Sequence, residues 1–271
     1  MAKKNEVVVS ASEQDLAILR ESFPTEPSSS RITLPRLGIY SQDVTEGTGK
    51  SLKVIAEQGQ FYTESPSEEL NEDGKRVWEK TIIGTEFEGC ILFQRKQLSH
   101  YDQASELFTS SPIYDTDDEV IPLWCDKQEV DKGLPKELQA KEKYAGKNSK
   151  GKYMTTLKDN RILYVEYEGK VYQMSVHGSS MYAYSDYRKK VLGALAPCEV
   201  ITKFGSENQE KGKIKWAQVT YAKKRLLNAK EVAEVMEKVK EISATVKAEK
   251  SQYSNRSAED KKSEDEFAKK F

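Results

Sequence analysis

Glu46-Gly-Thr-Gly-Lys-Ser51 ends as a phosphate-binding loop ends, on Gly-Lys-Ser. Such a loop wraps phosphate in the N–H groups of its glycines and runs straight into a helix. The first glycine of the pattern would stand at position 44, which is Val44, and Leu52-Lys-Val-Ile-Ala56 reads as a strand. A glycine-containing turn is expected there, not a nucleotide site. Asp115, Asp117, Asp118 and Glu119 gather four carboxylates, the donors that Mg²⁺ and Ca²⁺ prefer. A Ca²⁺ loop needs glycine at its sixth position, where Val120 stands. An exposed acidic loop is expected, with a metal-dependent nuclease as an alternative. Cys90, Cys125, Cys198, His100 and His177 include no pair at the short spacing of common zinc modules. The cysteines are expected as small buried hydrophobes. No G-x-S-x-G elbow or recognisable Ser/His/Asp set is present. No catalytic residue, cofactor or metal is expected.

What remains is aromatic residues interleaved with basic ones, from Tyr153 to Arg225. Lysine and arginine follow a phosphate backbone and release its counterions. Aromatic faces stack bases at about 1–3 kcal/mol each. Candidate phosphate contacts are Lys170, Arg188, Lys189, Lys190, Lys213, Lys215, Lys223, Lys224 and Arg225, with Arg95 and Lys96 earlier in the chain. Tyr164 is the first stacking candidate and Trp216 the second. Tyr167, Tyr172 and Tyr184 fall on expected core faces.

Charge is balanced over the 271 residues, at −1, but not along them. Residues 57–131 carry 18 acidic and 6 basic side chains, and residues 147–225 carry 16 basic and 7 acidic. The basic segment could attract a polyanion while the acidic one confines it. The alternative is that the two segments pack together and neutralise each other.

The elements that must hold these residues are mostly strands. Candidates are 32–40, 52–63, 76–83, 86–98, 119–124, 161–167, 171–177, 198–204 and 213–222, rich in Val, Ile, Tyr, Phe and Trp and separated by turn residues. A two-residue loop at Glu168-Gly169 pairs Tyr167 with Lys170, Val165 with Tyr172 and Leu163 with Met174. Leu163, Val165, Tyr172, Met174 and Val176 then share a core face, while Ile162, Tyr164, Glu166, Gln173, Ser175 and His177 share a solvated one. Helices are expected over 12–23, over 181–192 with Ser180 as cap and Met181, Tyr184 and Val191 buried, and over 228–250. The last opens on an Asn228/Glu231 capping box and carries the stripe Val232, Val235, Met236, Val239, Ile242 and Val246. The fold class is mainly β with helices (α+β): an OB-like barrel, or another small barrel or sandwich, decorated by an N-terminal and a C-terminal helix. The organisation is an arm at 1–30, a β-rich core at 31–227, a helix at 228–250 and a disordered charged tail at 251–271.

No run approaches the ~20 apolar residues of a bilayer helix, and Met-Ala-Lys-Lys-Asn-Glu leads into no apolar segment. Three widely spaced cysteines suit a reducing compartment. A cytoplasmic protein without a membrane partner is expected.

A basic, aromatic-bearing β domain followed by a polar tail, with Ser263-Glu-Asp-Glu-Phe267 and a final Phe271, resembles phage- or plasmid-type single-stranded DNA-binding proteins of the OB-fold class. The resemblance covers about 32–222 and the tail. It implies a non-catalytic, sequence-tolerant protein that binds single-stranded DNA, or RNA, in replication or recombination and meets replication proteins through its tail. The other reading is a structural or adaptor protein that assembles, as a homo-oligomer or with others, through 228–250.

Overall fold

The structure, a computed structural model, describes residues 34–46, 53–70, 76–102, 104–126, 128–147 and 151–243. The glycine turn at 47–51, the expected helix at 12–23, Val246 and the tail lie outside them. The described residues are mainly β with a few helices, and they divide into two compact units, Leu34–Gln94 with Arg161–Val239, and Arg95–Asn160 with 240–243.

The first unit is built on an open sheet. Its strands are β1 (Arg36–Ile39), β4 (Phe61–Leu70), β5 (Arg76–Gly84), the first half of β6 (Glu86–Asp102), β12 (Lys158–Tyr167), β13 (Lys170–Val176), β14 (Val200–Lys211) and β15 (Ile214–Leu226). They hydrogen-bond in the order β5-β4-β1-β13-β12-β6-β14-β15. β1 runs parallel to β13, whereas β4 with β5, β1 with β4, β12 with β13, β6 with β14 and β14 with β15 are antiparallel. A small ladder of β2 (Val44–Glu46) and β3 (Lys53–Ala56) stands apart.

The β12–β13 hairpin has the expected register, including Tyr167 with Lys170, Val165 with Tyr172 and Leu163 with Met174. Glu168 (φ 48°) and Gly169 (φ 79°) form its turn. Two successive positive φ angles match the right-handed twist of the strands, and glycine takes the second at no steric cost. All five residues of the expected core face are buried in one cluster with Phe61, Phe87, Ile91, Val200 and Phe204. The sheet curls enough for Phe61 on β4 to meet Phe87 on β6 edge-to-face at 5.0 Å. The curl does not become the expected closed barrel. Among the described residues β5 and β15 each keep a single neighbour.

The second face of β12 corrects an expectation. Ile162 and Tyr164 are as buried as the core face. A helix, α3, runs over 229–243 within the described residues, and its Lys238 Nζ donates to Glu166 Oε1 at 3.1 Å. Glu166 shares its face with Tyr164 and Ile162 by strand alternation, so the helix occupies the side expected to meet solvent. The capping box is formed in both directions: Glu231 N–H donates to Asn228 Oδ1 at 3.0 Å, and Asn228 N–H to Glu231 Oε2 at 2.9 Å. Val232, Val235, Val239 and Ile242 are buried.

The helix expected over 181–192 starts earlier and changes pitch. α2 spans Gly178–Asp186 with His177 at its N-cap, and Tyr187–Leu192 continues it as a π-helical turn, closed by Gly193 N–H to the Arg188 carbonyl at 3.1 Å. The wider turn shifts the phase of the buried face. Tyr184, Tyr187 and Leu192 are buried, while Val191 is exposed. Ser180 does not cap; its hydroxyl accepts from the Val219 N–H of β15 at 2.9 Å.

The second unit is a meander of the end of β6, β7 (Leu107–Ser110), β8 (Ile121–Cys125) and β9 (Gln128–Gly133), then a short helix α1 (Pro135–Ala140) and a ribbon of β10 (Ala145–Lys147) and β11 (Tyr153–Thr155). Its core is Leu98, Tyr114, Ile121, Leu123, Leu138, Tyr144 and Leu157. Among the described residues no helix is long and apolar enough to cross a membrane.

Candidate nucleic-acid interface

A side chain that binds a polyanion needs a charge no carboxylate has claimed, or a ring that solvent can reach. By that standard the thirteen expected residues separate into groups.

Arg95 and Lys96 belong to the structure of the second unit. Arg95 is 2% exposed and forks onto Asp115, Nε to Oδ1 at 2.7 Å and Nη2 to Oδ2 at 3.2 Å, with the Ile113 carbonyl also accepting from Nη2. Lys96 Nζ meets Asp117 Oδ1 at 2.7 Å. Glu119 Oε1 accepts the N–H groups of Asp115 and Thr116. Three of the four carboxylates of the acidic loop, those of Asp115, Asp117 and Glu119, are thus engaged by the protein itself. Among the described residues no group of His, Cys, Asp or Glu is arranged to hold a metal. Cys90 and Cys198 are buried, and Cys125 is partly exposed.

Tyr164 is 0% exposed and stacks on Phe93, with centroids 4.0 Å apart. A base cannot reach it, so the stacking role expected of it is corrected.

Four of the expected cations of the basic segment are compensated. Lys224 meets Glu88 at 3.0 Å, Arg225 meets Glu231 at 2.6 Å, Lys190 meets Asp186 at 2.7 Å and Lys215 meets Glu210 at 3.8 Å. Lys203, outside the expected set, meets Glu86 at 2.7 Å. Glu86 and Glu88 come from the acidic segment, so the two segments neutralise each other in part. Arg225 holds the Glu231 carboxyl below its ordinary range, and Glu231 in turn raises the guanidinium.

The rest keep their charge. Among the described residues Lys170, Arg188, Lys189, Lys213 and Lys223 enter no ion pair. Lys170, Lys189, Lys213 and Lys223 are exposed and Arg188 is half-buried. Trp216 lies on β15, at the edge of the sheet. Its ring is half-buried, and Nε1–H donates to Ser179 Oγ of α2 at 3.0 Å. Next along α2, Tyr182 is 70% exposed. Trp216 stands on β15 with Lys213 in the turn just before the strand, and α2 docks beside β15 through Ser179 and Ser180. Tyr182 falls within the aromatic and basic run from Tyr153 to Arg225 but is not one of the thirteen expected residues.

Comparison with known proteins finds no matching family model, no matching curated protein and no matching solved structure.

Proposed function

We propose that the chain is a non-catalytic protein that binds single-stranded nucleic acid, DNA in the first instance, through phosphate contacts and base stacking with little regard to sequence. The observation that carries the reading is Trp216. Its ring is pinned by Ser179 and left partly open at a sheet edge, on a strand that begins beside the uncompensated Lys213 and carries Lys223. A pinned ring loses little freedom when a base stacks on it, and flanking ammonium groups supply the salt-sensitive share of affinity. In this proposal the curled sheet plays the part of an OB-like barrel without being closed.

The test is the affinity of the full chain for labelled oligo-dT at about 50 and 200 mM salt. Binding should weaken steeply as salt rises, and Trp216→Ala should cost about 1–3 kcal/mol. Absence of binding at micromolar protein, or binding indifferent to salt, removes the proposal.

Assembly through the C-terminal helix has less support. The stripe it would use is buried within one chain at Val232, Val235, Val239 and Ile242. The nuclease alternative would need Asp115 and Asp117, which Arg95 and Lys96 already engage.

A further inference from the structure

The β10–β11 ribbon carries the most exposed aromatic ring among the described residues, Tyr153 at 73%. Lys147 and Tyr153 pair directly across the ladder, so their side chains rise from the same face. Lys147 Nζ lies 5.1 Å from the centre of the tyrosine ring. Met154, on the other face, is 44% exposed. Residues 143–158 contain five lysines and no Asp or Glu. Lys143 is taken by Asp131 at 2.8 Å, whereas Lys147 meets no carboxylate among the described residues.

The base of the ribbon is fixed. Thr156 donates to the Tyr144 carbonyl through N–H at 2.7 Å and through Oγ1 at 3.0 Å. Gln139 Nε2 donates to the Leu157 carbonyl at 3.1 Å, and Tyr144 and Leu157 are both core residues. A rigid stem therefore presents a ring that contributes almost nothing to folding. A polar residue would serve a solvated ribbon as well, and a tyrosine left in water keeps its large flat face for something else.

We propose that this ribbon is a second contact for single-stranded nucleic acid, separate from Trp216, with Tyr153 stacking a base and Lys147 holding a neighbouring phosphate. The stack explains why the aromatic is exposed, and Lys147, which meets no carboxylate among the described residues, explains why the ligand is a polyanion. The proposal takes its ligand class from the nucleic-acid reading.

The experiment uses the full chain and labelled oligo-dT in three arms. In the first, Tyr153→Ala should weaken binding about 5- to 150-fold and Tyr153→Phe should restore it, since stacking needs the ring and not the hydroxyl. In the second, Lys147→Ala should lower the slope of log affinity against log salt by about 0.7. In the third, ultraviolet cross-linking should leave an adduct on the tryptic peptide 153–158. If wild type and Tyr153→Ala bind alike, or the adduct maps only elsewhere, the ribbon is not a contact while the nucleic-acid reading stands. If polyglutamate displaces the oligonucleotide from wild type and Tyr153→Ala equally, the ribbon contributes charge alone and the stacking proposal falls. If wild type does not bind oligo-dT at all, the nucleic-acid reading fails, and this proposal with it.

Discussion

Lys224 on β15 reaches across β14 to Glu88 on β6, ammonium to carboxylate at 3.0 Å. An ammonium held this way has few counterions to give up, so it adds little to polyanion binding. Lys224→Ala should leave the salt slope for oligo-dT nearly unchanged. Lys213→Ala and Lys223→Ala should each lower it by about 0.7. Glu88→Gln, which releases Lys224, should tighten binding at low salt. Titrations of the four variants at several salt concentrations check all of this.

Arg95 and Asp115 form a buried, two-pronged pair with side chains 1% and 8% exposed. Removing one partner of such a pair strands the other without water, at a cost of about 3–5 kcal/mol. Arg95→Ala and Arg95→Met should both lower the denaturant midpoint, and methionine should lose less because it refills the volume. Loss of oligonucleotide affinity with unchanged stability would contradict the structural role given to Arg95.

Asp131 on β9 is raised by burial, but hydrogen bonds from Lys141 and Lys143 outweigh this and bring its pKa down to about 2. A carboxylate depressed in the folded state stabilises it above its unfolded pKa, near 4, and loses that contribution as pH falls through the folded value. Stability should drop by about 1–2 kcal/mol between about pH 4 and pH 2 on account of this residue. Asp131→Asn should flatten that part of the profile. Urea melts of both proteins across this range read the difference.

Val235 and Val239 on α3 are buried. Val239→Ala should cost about 1–3 kcal/mol by leaving a cavity, and Val235→Asp should do worse by burying a lone charge. Sedimentation decides whether the helix also joins chains. Substitutions confined to its exposed positions, such as Glu234 and Glu237, should leave the sedimentation coefficient unchanged.

Much of the fold was legible because strand periodicity and turn chemistry are local. The β12–β13 register followed from Glu168-Gly169 and from alternation at Leu163, Val165, Tyr172 and Met174. The α3 start followed from Asn228 and Glu231. Other features depend on partners far along the chain. Ile162 and Tyr164 look solvated from alternation alone, but Phe93 of β6 stacks on Tyr164, and α3, more than sixty residues later, reaches Glu166 on the same face. Tyr187 and Leu192 were hidden by the π turn, because helix phase was counted at 3.6 residues per turn. β7 and β9 are four and six residues long, with mixed composition, and gave little signal. The boundary between units falls inside β6 and β12, where no turn residue marks it. At the candidate site, the type and spacing of the cations were readable, but not which of them Glu86, Glu88, Glu210 and Glu231 would claim.

Cys90 and Cys198 lie together in the packed interior, with the Cys90 thiol 3.7 Å from the Cys198 carbonyl, and burial pushes the Cys90 thiol well up. Both should therefore be inert to thiol reagents until the interior opens, whereas Cys125 should react at once. The chain carries its own clock: the slow phase of its alkylation measures how often the interior breathes, and a bound oligonucleotide that braces the first unit would lengthen it.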